Sequence, residues 1–123
     1  MTVYLARFNL KNKIAYKIGH TKFFYAHKRF DHEQYGVFDK IEILNEIRIS
    51  DENAQIARDK AKLIEACLKA LFPKNFYLEE YFQTQPNVFD GLSGITEMFI
   101  LNNQPEDSIT TVFNKIKREV QKI

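Results

Sequence analysis

Two short stretches near the start of the chain hold residues that strand packing does not require. Thr2-Val3-Tyr4-Leu5-Ala6-Arg7-Phe8 carries a tyrosine, and Ile14-Ala15-Tyr16-Lys17-Ile18-Gly19-His20-Thr21 carries a second tyrosine, a lysine and a glycine. A bare glycine beside a phenol and an ammonium leaves room for something to approach the backbone. The charge pattern says what that could be. Residues 1–30 hold seven basic groups (Arg7, Lys11, Lys13, Lys17, Lys22, Lys28 and Arg29) and no acid, whereas the rest of the chain holds eleven bases against sixteen acids. The net charge of +2 therefore conceals a basic third suited to a polyanion.

For Tyr4 and Lys17 to act together, two strands must pair in a definite register. With Asn9-Leu10-Lys11-Asn12 as a four-residue hairpin loop, Phe8 faces Lys13 and Tyr4 falls opposite Lys17. The same register gathers Val3, Leu5, Tyr16 and Ile18 on the other side. The expectation is one apolar face and one face carrying Tyr4, Lys17 and Gly19.

The elements that must hold this pair follow from periodicity. Phe23 to Gln34 predicts a short helix ending near Gly36, and Val37 to Ile49 a third strand. Ser50 and Asp51 offer N-cap oxygens to a helix whose apolar residues Ala57, Ala61, Ile64, Leu68, Leu71 and Phe72 recur at threes and fours up to Pro73. Cys67 lies within that helix, with buried packing as its expected role, and a single cysteine excludes an internal disulfide or a cysteine zinc cage. Residues 73–86 show poor periodicity, and residues 106–123 close the chain as a helix with Ile109, Val112, Phe113, Ile116 and Val120 on one stripe.

A chain of 123 residues with 45% hydrophobic content suits one domain over 1–123. Its class is α/β (α+β), a small, mixed but mainly antiparallel three-stranded sheet flanked by helices. There is no run of eighteen apolar residues and no charged leader with a cleavage site, so a cytoplasmic protein with no membrane partner is expected.

Val3-Tyr4-Leu5, followed by Lys17-Ile18-Gly19-His20-Thr21 and then an arginine, resembles the GIY-YIG nuclease superfamily, in the phage-associated branch whose second motif reads KIG. Two more stretches are similar to that branch: Ala61 to Phe72, like its Ala-x-x-x-Glu-x-x-Leu helix, and Gly94-Ile95-Thr96-Glu97-Met98-Phe99, like its Gly-x-Thr-Glu-aromatic-Phe signature. The resemblance covers Thr2 to about Leu101. The chain departs from the pattern at Thr2, which replaces the first glycine, and at Lys17, which replaces the second tyrosine. His27 stands at the usual arginine position, with Arg29 two residues on, and Met98 replaces a tryptophan.

The resemblance implies a metal-dependent endonuclease that hydrolyses DNA phosphodiester bonds, with RNA not excluded. Tyr4, Lys17, Arg29 and Glu97 would be its catalytic residues. Glu97 would bind Mg²⁺ or Mn²⁺, with water and phosphate oxygens filling most positions of a small hard cation. Tyr4, aided by Lys17, would orient or deprotonate the attacking water, and Arg29 would hold the charge developing on phosphorus. Tyr16, Gly19, His20 and His32 stand behind these as a second tier, His20 and His32 for proton transfer or phosphate contact. The group that takes the proton stays open. All three histidines are expected first in structural roles, and Glu65 as support near the site. Lys11, Lys13, Lys22 and Lys28 would meet the nucleic-acid backbone.

A second reading keeps the scaffold and the basic face without strong catalysis, as a domain that binds nucleic acid or a protein. A third uses the aromatic Pro73 to Phe82 segment, with Phe76 and Tyr81, as an adaptor surface. A separate DNA-reading module is not evident, so cleavage is expected to be weakly sequence-selective or to depend on a homodimer or a separate targeting protein.

Overall fold

The computed structural model describes residues 1–10, 13–31, 35–36, 38–72, 98–101 and 105–121. Its sheet has three strands, β1 (Thr2–Leu10), β2 (Lys13–Thr21) and β3 (Lys40–Arg48), in the order β2-β1-β3. Both pairings are antiparallel, so no mixed sheet forms among the described residues. A short 3-10 helix, Ala26–Phe30, follows β2, and the helices α1 (Ala54–Leu71) and α2 (Glu106–Gln121) complete the α+β arrangement. The short helix is much shorter than the Phe23 to Gln34 helix expected from the sequence.

The hairpin register differs from the expected one by two residues. β1 and β2 pair from Thr2 with Thr21 to Leu10 with Lys13, so Lys11 and Asn12 alone link the strands. Tyr4 faces Gly19 and Lys17 faces Ala6, where Tyr4 was expected to face Lys17. A slip of two leaves every side chain on its expected face, because side chains alternate with period two. Tyr4, Lys17 and Gly19 still share one face, with Tyr4 and Lys17 as diagonal neighbours.

Central β1 is buried on both faces, contrary to the expectation of one apolar face. Val3, Leu5, Tyr16, Ile18 and Ile47 pack under α1 and α2 against Ala61, Leu68, Phe72, Ile109 and Phe113. Tyr4, Ala6, Phe8 and Ala15 form a second cluster with Ala26, Phe30, Tyr35, Phe38 and Met98. Edge-to-face contacts tie it together: Phe30 lies 5.4 Å from the Tyr4 ring centre and 5.3 Å from that of Phe8. The aromatic residues after β2 are what seals this second face. Each fully buried large side chain contributes about 1.5–3 kcal/mol.

α1 begins one turn later than expected. Asn53 is its N-cap, its side-chain oxygen accepting from the backbone N–H groups of Gln55 and Ile56. Asp51 braces the turn by accepting from the Asn53 N–H and from Lys60, and both contacts, that from Asn53 first, hold its carboxyl below the ordinary value. Of the expected stripe, Ala57, Ala61, Leu68 and Phe72 are buried, while Leu71 is exposed, as is Cys67, for which a buried role was expected.

α2 is anchored to the sheet by its first residue. Glu106 accepts two hydrogen bonds from the Arg7 guanidinium, at 2.8 and 3.0 Å, and one from the Tyr16 hydroxyl at 2.8 Å. Arg7 also pairs with Glu42 of β3. A negative side chain at a helix N-terminus is favoured by the helix dipole, so the network stabilises α2 as it docks it.

Candidate nucleic-acid interface and active site

Tyr4 is held by its neighbours so closely that only 1% of it is exposed. Its ring covers the bare backbone of Gly19, where a Cβ would lie 2.5 Å from the phenolic oxygen. The space that glycine leaves is thus filled by Tyr4 itself. Lys17 is also buried, with its ammonium 6.0 Å from the centre of the Tyr4 ring. A buried ammonium beside an aromatic face gains cation–π attraction.

The remaining basic residues of the N-terminal third divide. Lys13 stands at one end of β2 and Lys22 just past the other, roughly 30 Å apart at about 3.3 Å per strand residue. At the Lys22 end the chain forms a cleft of about 670 Å³, lined by Met1, His20, Thr21, Lys22, Phe23, Arg29, Arg58 and Lys62. None of these lining residues is a carboxylate. Arg29 reaches the cleft from the 3-10 helix, its guanidinium carbon 5.6 Å from the centre of the Tyr35 ring. Burial raises the Tyr35 phenol, with the charge of Arg29 opposing that shift. Lys28 is exposed, 4.0 Å from Asp31.

Arg58 and Lys62, one helical turn apart on α1, were missed as site residues by sequence reasoning. Their spacing puts them on one helix face, but only the packing of α1 beside β2 aims that face at Lys22 and Arg29. His20 sits at the cleft wall with Nδ1 2.6 Å from a Glu65 oxygen, whose second oxygen accepts from Lys69 at 3.1 Å. Glu65 thus bridges His20 of β2 and Lys69 on its own helix. A carboxylate beside Nδ1 accepts the proton that this nitrogen carries and so orients the ring.

Tyr16 lies on the opposite face, as its parity requires, and its phenol is held well above its ordinary value by burial and then by Glu106. It does not belong to the cleft. Glu97, His32 and Lys11 lie outside the described residues, as do Phe76 and Tyr81. Met98, next in sequence after Glu97, is fully buried in the Tyr4 cluster, and Phe99 exchanges two backbone hydrogen bonds with Tyr16.

No group of three or more metal-ligating side chains occurs among the described residues. Of the described carboxylates around the cleft, Glu65 is engaged by His20 and Lys69, and Asp51, which with Glu52 lines an adjoining pocket beside Met1, Lys22 and Arg58, is engaged by Lys60 and the Asn53 N–H. These residues do not by themselves fit a divalent cation. No described helix is long and apolar enough to cross a membrane. Comparison of the chain with protein-family models, with curated proteins and with solved structures finds no match in any of the three.

Proposed function

We propose that the domain binds the phosphate backbone of nucleic acid in the cleft of His20, Lys22, Arg29, Arg58 and Lys62 and acts there as an endonuclease on DNA. The observation that carries this reading is the convergence of basic side chains from the end of β2, the 3-10 helix and α1 on one cleft whose described lining residues include no carboxylate. Such a cleft attracts a polyanion and releases its counterions on binding. Arg29, a planar fork of donors, suits a phosphate whose charge grows during hydrolysis. His20, oriented by Glu65 at the cleft wall, would serve in proton transfer or phosphate contact, whereas Tyr4 and Lys17 are buried and do not line this cleft. The reading locates Mg²⁺ or Mn²⁺ at Glu97, which lies outside the described residues. Selectivity would come from a second copy of the chain or from a separate targeting protein.

One observation favours a second reading, binding without cleavage: Tyr4 is sealed by Gly19 and Phe30. The deciding experiment incubates plasmid DNA with the protein and Mg²⁺ or Mn²⁺, with and without chelator, beside Glu97→Ala. The nuclease reading expects cleavage by the wild type only, with DNA affinity of the variant equal or slightly higher. Equal inactivity of both proteins with salt-dependent binding intact leaves the binding domain standing, and absence of any salt-dependent binding removes both.

A further inference from the structure

We propose that the nucleic acid taken by this cleft is single-stranded where it meets the protein, its unpaired bases stacking on Phe24 and Tyr25. This rests on the nucleic-acid reading above and names the substrate class of that same site.

Phe23, Phe24 and Tyr25 form a run of aromatic rings that are 37%, 62% and 53% exposed. The core does not need them, since Phe30, Tyr35 and Phe38 already seal the Tyr4 face. Nor is the segment loosely held. The carbonyl of Phe24 accepts from the hydroxyl of buried Thr2 at 3.0 Å and from Arg48 Nε at 3.2 Å. On either side, the Phe23 N–H donates to Thr21 at 3.3 Å and the Ala26 N–H to Glu46 at 2.8 Å. The backbone is pinned inward while the rings stand outward.

The rings are also ordered among themselves. Phe24 and Tyr25 meet edge to face at 4.9 Å, and the Arg48 guanidinium carbon lies 4.3 Å from one ring centre and 5.3 Å from the other. A platform already in place loses little conformational freedom when a flat ligand lands on it. Every base offers a π-face, and a guanidinium beside aromatic rings adds cation–π attraction.

Charge selects the occupant. Phe23 borders the basic cleft beside Lys22, and Tyr25 borders a second groove that contains Arg48, Lys117, Asp31 and Glu46. Glu46 is engaged by Arg48 and the Ala26 N–H, which limits its repulsion of a phosphate. An aromatic lip between a cationic cleft and this groove matches a strand whose phosphates and bases alternate along its length. A paired duplex hides the base faces that such rings would stack on, whereas a single strand presents them.

The test measures binding of the full chain, with chelator present to prevent cleavage, to a labelled oligothymidylate and to a duplex of equal length. The expected result is preference for the single strand, lowered by roughly tenfold in Phe24→Ala/Tyr25→Ala with an unchanged salt slope. The wild type should also change the fluorescence of a 2-aminopurine placed in the oligonucleotide, a stacking signal that needs no variant. Equal or tighter binding of duplex, or single-strand preference retained by the variant, overturns the proposal and leaves the nucleic-acid reading intact. Salt-dependent binding of neither probe overturns both, and the exposed rings then belong to a protein contact.

Discussion

Tyr4 occupies the space that a side chain at residue 19 would fill, with a Cβ on Gly19 falling 2.5 Å from its hydroxyl oxygen and 2.8 Å from Cζ. The ring cannot swing away cheaply, because Phe30 packs against it edge to face at 5.4 Å. Gly19→Ala is expected to destabilise the fold by about 1–3 kcal/mol through overpacking, despite the better strand propensity of alanine. Adding Tyr4→Ala removes the clash, so the double variant should be less destabilised than the sum of the two singles. Urea unfolding of the four proteins measures the coupling, and strict additivity would show that the contact is not felt.

Asn53, and not Ser50, caps α1. Asn53→Ala should therefore cost about 1 kcal/mol, and Ser50→Ala close to nothing. Denaturation midpoints of the two variants decide it, and a larger loss for Ser50→Ala would contradict the cap.

The Tyr16 phenol is raised above its ordinary value of 10.0 by burial and by Glu106. Its unfolded form then ionises first as pH rises, so its contribution to stability is fully present below pH 10.0 and declines above it. Tyr16→Phe should flatten this alkaline decline in denaturation midpoints measured from neutral pH upward, whereas a slope identical to wild type would sever the link to Tyr16.

Arg58 and Lys62 are assigned to the cleft together with Lys22 and Arg29. Arg58→Glu/Lys62→Glu should weaken binding to all sequences alike and lower the slope of log affinity against log salt, by roughly 0.7 for each single-strand phosphate that the protein no longer neutralises. The same reversal at Lys13, at the far end of β2, should change the slope less. Salt titrations followed by anisotropy distinguish the two ends, and a larger effect at Lys13 would move the interface to the hairpin tip.

Strand alternation is local, so the sequence alone determined β1, β2 and the face on which each side chain lies. Tyr4 and Lys17 share a face whether the link has two residues or four, since a slip of two restores the same parity. The presence of α1 and its end just before Pro73 were equally legible from its apolar spacing, and so was the concentration of basic groups in the acid-free first thirty residues. The partner of Tyr4 across the strands was not legible. That depends on a ring needing the empty volume at Gly19, a contact between residues that no local pattern couples. Burial of both faces of β1 came from its central place between β2 and β3 and from the aromatic residues that fold back over it. The composition of the cleft was likewise a tertiary matter. Arg58 and Lys62 read as one polar stripe of a helix until α1 packs beside β2. Charge content is additive along a chain, but a binding site is a relation in space, and only packing of the elements decides which charges meet.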